Sequence, residues 1–491
     1  MVFAYIAQSA TGYRISRGPS AMESNLFVFN GIDVETGGYL VPPMSGRDVA
    51  RVALREKLDA EHLRQLRWRR DSQAHSTLGA PKAGVDANDL AQAGWGVIFG
   101  RDADEATREA LRPLLEHRAA QAGRLYREFV GLDGHRPGEQ SWDFLRRWRH
   151  EPAGVVDPER MPYYLMIVGE PEDIPFRFQY QLDVQFAVGR IAFDAPEDYA
   201  RYARSMVRAE TLGGGLPKRA TFFAVRNSND QATQASADQL VRPLSASFSH
   251  GHPDWTVDGI LGAEATKARL RELLGGNARP RMLFTASHGM GFPFGHADQV
   301  ARQGSLLCQD WPGPIHHRGP IPRDFYFAGE DVADDADLTG MVAFLFACFG
   351  GGTPRLDDFS HLGLAKQESL AQRAFVAALP RRLLSHPRGG ALAVVAHVER
   401  AWSCSFLWPE VGPQLQTFES ALQRIAAGIP IGSAMECFND RYAQLATMLW
   451  AQIEEAKTQK EIDALGIADT WTAHNDARSY VIVGDPAVRL S

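Results

Sequence analysis

Two stretches decide the fold: Arg281-Met282-Leu283-Phe284-Thr285-Ala286-Ser287-His288-Gly289 and Met341-Val342-Ala343-Phe344-Leu345-Phe346-Ala347-Cys348-Phe349-Gly350-Gly351-Gly352. Each is an unbroken apolar run of strand length. Each stops at one reactive side chain with glycine close behind. An apolar run of this length, bounded by turn signals, reads as a strand buried on both faces. In open parallel sheets, ligands bind beyond the carboxyl ends of the strands. The pattern therefore sets His288 and Cys348 where chemistry happens, a base beside a nucleophile.

Working outward, further strand-like runs appear at residues 163–168, 186–191, 220–225 and 391–396, and a closing run spans 480–490. Helical periodicity separates them at residues 196–210, 232–248, 264–274, 367–378, 414–427 and 433–455. Strand alternating with helix predicts an α/β fold, a mostly parallel sheet with helices on both faces. Residues 292–337 form a long segment rich in Pro and Gly between the two decisive strands. Such connections are usually functional or disordered, so a gate or a self-processing site is expected there. The glycines at 213–215 read as a joint.

Residues 1–150 read as a separate N-terminal mixed and helical module. They hold short β-like pieces, a charged helix over 47–70, a polar loop over 75–86 and a mostly helical stretch over 104–149. No catalytic constellation is legible there, and its expected role is regulatory or docking, taking a partner or ligand. The remainder divides into a subdomain over 151–215 and a catalytic subdomain over 216–491.

The chain has 491 residues, 45% of them hydrophobic, and a net charge of -7 with both signs interspersed. It carries no basic patch of the kind a nucleic acid demands. Its four cysteines, Cys308, Cys348, Cys404 and Cys437, form no Cys-x-x-Cys pair, which speaks against a zinc knuckle or a disulfide scaffold. No secretory leader is legible, and no apolar run approaches the roughly 20 residues of a membrane span. The expectation is a soluble cytoplasmic protein with no cofactor, no metal, no nucleic acid and no membrane.

At this point the order of the motifs resembles a known group. The His-Gly strand end followed by an apolar strand ending Ala-Cys resembles the caspase-like cysteine peptidases of clan CD, and within them the gingipain family. Four further segments carry the same resemblance. They are Val168-Gly169-Glu170 with Ile174-Pro175, Val188-Gly189-Arg190-Ile191, Trp402 after the 391–396 strand, and Val483-Gly484-Asp485-Pro486. The match runs from about residue 162 to 490, and residues before it lie outside.

The resemblance implies a caspase-haemoglobinase-like fold and a cysteine endopeptidase acting on protein substrates in signalling or defence. It implies Cys348 as nucleophile, His288 as proton donor, and the N–H groups of Gly289 and Cys348 as an oxyanion hole. It also implies an acidic residue just after the 220–225 strand to orient the histidine. That place reads Arg226-Asn227-Ser228-Asn229-Asp230, with Asp230 the nearest acid. For the substrate pocket it points to the loop and helix start over 228–238 and to Trp402. Asp230 and Asp238 can hold a basic side chain there, and Thr233, Ser236 and Trp402 can equally form an uncharged pocket. A capping or solvated role for either aspartate stands beside these.

Each reactive residue also has a plain reading. Free cysteine at a strand end is often a small buried apolar residue, and a turn histidine is often only hydrogen-bonded. On those readings the chain is a non-catalytic caspase-like scaffold that binds a partner protein. Gly350-Gly351-Gly352-Thr353 lacks the Lys-Ser/Thr of a phosphate loop.

Overall fold

A computed structural model describes residues 26–27, 31–40, 44–54, 60–73, 81–152, 154–212, 217–275, 279–357, 369–408, 411–458 and 463–490. Its centre is one ten-stranded sheet. In chain order the strands are β1 (Trp95–Phe99), β2 (Tyr126–Phe129), β3 (Tyr164–Val168), β4 (Ala187–Ile191) and β5 (Arg219–Ala224). They continue as β6 (Thr256–Leu261), β7 (Met282–Ala286), β8 (Val342–Phe346), β9 (Ala393–His397) and β10 (Tyr480–Gly484). Across the sheet the order is β2-β1-β3-β4-β10-β9-β8-β7-β5-β6.

Every neighbouring pair is parallel except β10 with β9. The sheet is therefore two parallel halves set head to tail. Central strands such as Leu165-Met166-Ile167 and Ala343-Phe344-Leu345 are buried at every position. Both faces must then be covered, which is why these strands read as solid apolar runs rather than alternating ones. The edge strands β2 and β6 alternate or lie partly open. The α/β expectation holds.

The expected boundary near residue 150 does not exist in the fold. β1 and β2 come from the first 150 residues, and β1 pairs along its whole length with β3. Trp95-Gly96-Val97-Ile98-Phe99 is itself a solid apolar run, filling a gap that β3 would otherwise expose. The line at 215/216 also falls inside this sheet, between β4 and β5. Within the stretch expected to be helical over 104–149, the helix Glu105–Ala122 is followed by β2. Leu125, Tyr126 and Phe129 thus serve a turn and a strand rather than a helix face. The helix expected over 367–378 begins instead at Ala378, after the short strand Phe375–Val376. The joint at 213–215 and the loop over 75–80 lie outside the described residues.

Three of the sequence motifs turn out to fasten the first half. Arg190 on β4 is buried and donates to the carbonyls of Gly169 at 2.9 Å and Ile174 at 2.6 Å, and to Gln179 Oε1 at 3.0 Å. Burial lowers its guanidinium to about 10. Asp485, directly after β10, accepts from Trp95 Nε1 at 3.0 Å and from Arg118 Nε at 2.7 Å. Gly189 has no room for a side chain, since a Cβ there would stand 2.2 Å from the Gly484 carbonyl oxygen. These segments lie at the C-terminal ends of β3, β4 and β10. By the head-to-tail arrangement, that is the opposite edge of the sheet from His288 and Cys348.

Candidate active site

In the second half, β5 and β6 run to one side while β7, β8 and β9 run to the other. The reversal falls between β5 and β7. A cleft beyond the carboxyl ends of the strands is expected at such a point. Asp230 follows β5, His288 follows β7 and Cys348 follows β8, so the sheet delivers all three to this one edge.

Register brings histidine and cysteine level. Ala286 pairs with Phe346, and Ser287 N–H donates to the Phe346 carbonyl at 3.2 Å. Two residues on, the chains touch: a Cβ on Gly289 would meet the Cys348 carbonyl oxygen at 1.8 Å. Only glycine allows that approach. The His288 carbonyl accepts from Leu307 N–H at 2.9 Å, which fixes the backbone beneath the ring.

The imidazole is oriented from behind. His288 Nε2 lies 2.7 Å from Asp230 Oδ2. Thr233 Oγ1 donates to the same oxygen at 2.6 Å, and the Tyr39 hydroxyl donates to Oδ1 at 2.7 Å. Asp230 occupies an N-cap position, but its side chain caps nothing and turns to the histidine instead. Burial alone would raise its carboxyl. The His288 charge and the bonds from His288, Thr233 and Tyr39 outweigh that and hold it at about 2. His288 Nδ1 is buried without a hydrogen-bond partner among the described residues. That nitrogen is the one available for proton exchange.

Cys348 Sγ accepts from the Ala401 N–H at 3.2 Å. The turn after the cysteine is bent: Phe349 has φ 59° and Glu399 has φ 69°, and Phe349 N–H donates to the Glu399 carbonyl. Left-handed backbone at two bulky residues is strained, and such strain gathers at functional sites. Arg400 lies close by, buried and bidentate on Asp357 at 2.7 and 2.9 Å. The sulfur is fully buried, and burial pushes its thiol up to about 12, against the Ala401 N–H and the Arg400 charge. As the structure stands, Cys348 is a thiol at neutral pH.

The residues expected to line a substrate pocket divide. Asp230 and Thr233 belong to the support of His288. Ser236 is buried, its hydroxyl donating to the Thr233 carbonyl at 3.2 Å. Asp238 is half exposed, and its carboxylate is taken up by Arg226 at 2.9 Å and Arg242 at 3.5 Å. Trp402 is only 4% exposed and belongs to the main core, with its backbone N–H donating to Asp476 Oδ1 at 2.9 Å. An open aromatic wall is not what this state presents. Trp402→Ala is expected to cost about 3–5 kcal/mol of stability as a core truncation. Urea unfolding checks it, and an unchanged midpoint would contradict the packing role.

Sequence reasoning missed Tyr39 and Trp311. Trp311 sets its ring 6.0 Å from the His288 ring, edge to face. It lies in the 292–337 segment, expected to be a gate. Much of that segment is packed structure: the strands Leu306–Leu307 and Tyr326–Phe327 join Gly289–Gly291 and Gly31–Asp33 in a small four-stranded sheet. Leu307, Cys308 and Trp311 in it are fully buried. No composition rule marks these contacts, because each depends on a partner distant in the chain.

Comparisons with known proteins give a structural likeness only. No family model matches the chain, and no curated protein does. Among solved structures it is similar to the Arg-specific cysteine proteinase gingipain R, at 12% identity and TM-score 0.45, over 83% of this chain and 79% of that one. It is similar to the complex of RgpB pro- and mature domains from Porphyromonas gingivalis, at 13% identity and TM-score 0.45, over 80% and 79%. A weaker likeness is to the Saccharomyces cerevisiae separase–securin complex, at 9% identity and TM-score 0.27, over 70% of this chain and 17% of that one. Gingipain is also what the motif order resembles. Likeness at this level says nothing of reaction or substrate, which rest on the side chains above.

Among the described residues, no helix is long and apolar enough to cross a membrane. No group of three or more His, Cys, Asp or Glu side chains among them is placed to hold a metal ion.

Proposed function

We propose that the chain is a cysteine-type endopeptidase in which Cys348 and His288 cleave peptide bonds and Asp230 orients the histidine. The observation that supports this best is the pairing of His288 Nε2 with a carboxylate held at low pKa, while Nδ1 is left free at the level of Cys348. A nucleophile, a base and a third group that orients the base make up the usual activated-nucleophile constellation. Cys348 Sγ gives its proton to His288 Nδ1 and, as thiolate, bonds to the scissile carbonyl carbon. The oxyanion is received by the N–H groups of Gly289 and Cys348, donors of a kind worth about 3 kcal/mol each in such sites. His288 gives its proton to the departing amine as the C–N bond breaks. Water, deprotonated by His288, then splits the thioester, releasing the acid and restoring the sulfur.

The second reading, a partner-binding scaffold, draws on the complete burial of Cys348. A peptide bearing a thiol-reactive acyloxymethyl ketone separates the two. The peptidase reading expects one adduct per chain at Cys348, slower in His288→Ala. Labelling that is no better in the native than in the urea-unfolded protein, in wild type and in Ile32→Asp alike, would favour the scaffold.

A further inference from the structure

The fully buried Cys348 and His288 are covered by a piece of the chain's own N-terminal region, residues 31–40. Gly31–Asp33 pairs in parallel with Gly289–Gly291, the three residues directly after His288: Gly31 with Gly289, Ile32 with Met290, Asp33 with Gly291. The ladder continues through Val34 N–H to the Gly291 carbonyl at 2.9 Å. Chain return is fixed by Leu40 N–H on the Gly31 carbonyl at 3.0 Å and by Asp33, whose carboxylate takes the N–H groups of Glu35 and Thr36. At Gly31 the backbone lies against the nucleophile, for a Cβ there would stand 3.3 Å from Cys348 Sγ. Tyr39 completes the cover, its ring edge-on to His288 at 5.9 Å and its hydroxyl on Asp230.

A carbonyl carbon bonding to Sγ needs the space this segment fills. The segment is also placed to leave. Ile32 and Val34 pack in a small satellite cluster with Met290, Phe292, Trp311 and Ile321, apart from the main core, and the tip at Glu35 and Thr36 is exposed. Its strand is three residues long. Short, locally packed elements of this kind open at far lower cost than a global unfolding.

We propose that residues 31–40 are an internal strap that holds the site latent, and that Cys348 becomes reactive only when the strap lifts from Gly289–Gly291. The proposal rests on the peptidase reading for its meaning, but its test does not. Removal of the strap opens Sγ to water and takes away the burial that keeps it a thiol. Tyr39 then restrains the strap through the same bond by which it supports Asp230.

The test is alkylation of the full chain by iodoacetamide at neutral pH, with each cysteine followed by peptide mass spectrometry. Tyr39→Phe removes the bond to Asp230, and Ile32→Asp places a charge in the satellite cluster. Each is expected to speed labelling of Cys348 about tenfold or more, the scale set by one hydrogen bond to a charged group. Cys308, fully buried, serves as the internal reference and is expected to stay protected. Ile32→Cys combined with Met290→Cys joins two paired positions that both face the satellite cluster. Oxidised, it should slow Cys348 below wild type, and reductant should restore it. That pair keeps the test open if Ile32→Asp does not fold.

Strap variants that label Cys348 no faster than wild type would overturn the proposal. So would a rise at Cys308 that keeps pace with Cys348, or a Tyr39→Phe protein that loses peptide cleavage with labelling unchanged. Faster labelling of Cys348 without any peptide cleavage leaves the strap standing and removes the peptidase.

Discussion

Cys348→Ala is expected to drop peptide hydrolysis by at least about 10⁴-fold, to the background of the assay, while the protein stays folded. His288→Ala should fall nearly as far, and the double variant no further than Cys348→Ala alone. Groups that act as a unit lose the same rate enhancement whichever is removed, so their effects do not add. Little stability should go with Cys348→Ala. One sulfur is lost from a turn whose backbone is held independently by Gly289, Phe349 and Glu399. The measurement is turnover of a fluorogenic peptide library, run in the wild-type chain and in the Ile32→Asp background so that latency does not hide activity. Turnover that survives in pure Cys348→Ala protein would end the mechanism.

Asp230→Asn should lower kcat by about 10²–10⁴-fold with KM nearly unchanged. An amide can still accept from Nε2, but it cannot balance the imidazolium that forms as the proton moves. The side chain touches His288, Thr233 and Tyr39, so a substrate-pocket role would instead show mainly in KM. The acidity of this group adds a second readout. Its folded pKa is depressed, to about 2, from an ordinary carboxylate near 3.9. The stabilisation it brings is therefore fully present above about pH 4 and lost as pH falls towards 2. The wild type should lose unfolding free energy across that window relative to Asp230→Asn. By the same sign, Asp230 is ionised wherever an assay is run, and the acid limb of the rate profile belongs to another group. An unchanged kcat in Asp230→Asn would sink its orienting role.

The pairing of His288 with Cys348 at one edge was legible because parallel strands buried on both faces leave a plain mark, and the mark ends at those two side chains. Asp230 was half legible. Its place after β5 is visible in the sequence, but whether its carboxylate caps the helix or meets His288 is a matter of side-chain direction. β1 carried the same mark as β7 and β8, a five-residue apolar run at Trp95–Phe99, yet was absorbed into a module defined by its lack of catalytic residues. Absence of chemistry is no sign of a domain boundary when one ten-stranded sheet draws strands from both sides of it.

The motif set behind the resemblance divides in an instructive way. The histidine and cysteine strand ends hold the groups proposed to react, whereas Arg190, Gly189 and Asp485 clamp loops and strands at the far edge. A scaffold protein would need those clamps as much as an enzyme does, so they speak to fold alone. Of the strap only short β-like pieces were legible, and neither its partner nor its place over the site. Three residues have no periodicity, and their partner strand lies more than half the chain away.

The head-to-tail junction has a bearing on how the protein is made. β10 stands at the middle of the sheet, yet its residues, Tyr480–Gly484, are the last of the ten strands to leave the ribosome. Until they emerge, β4 and β9 have no partner on the sides they present to each other, and two five- and four-stranded pieces remain with open edges. Asp485, which meets Trp95 and Arg118 across the whole length of the chain, arrives later still. Closure of the sheet therefore waits on its last-made strand. A message truncated between His397 and Tyr480 yields two unsealed half-sheets, nine strands made and the junction between them missing.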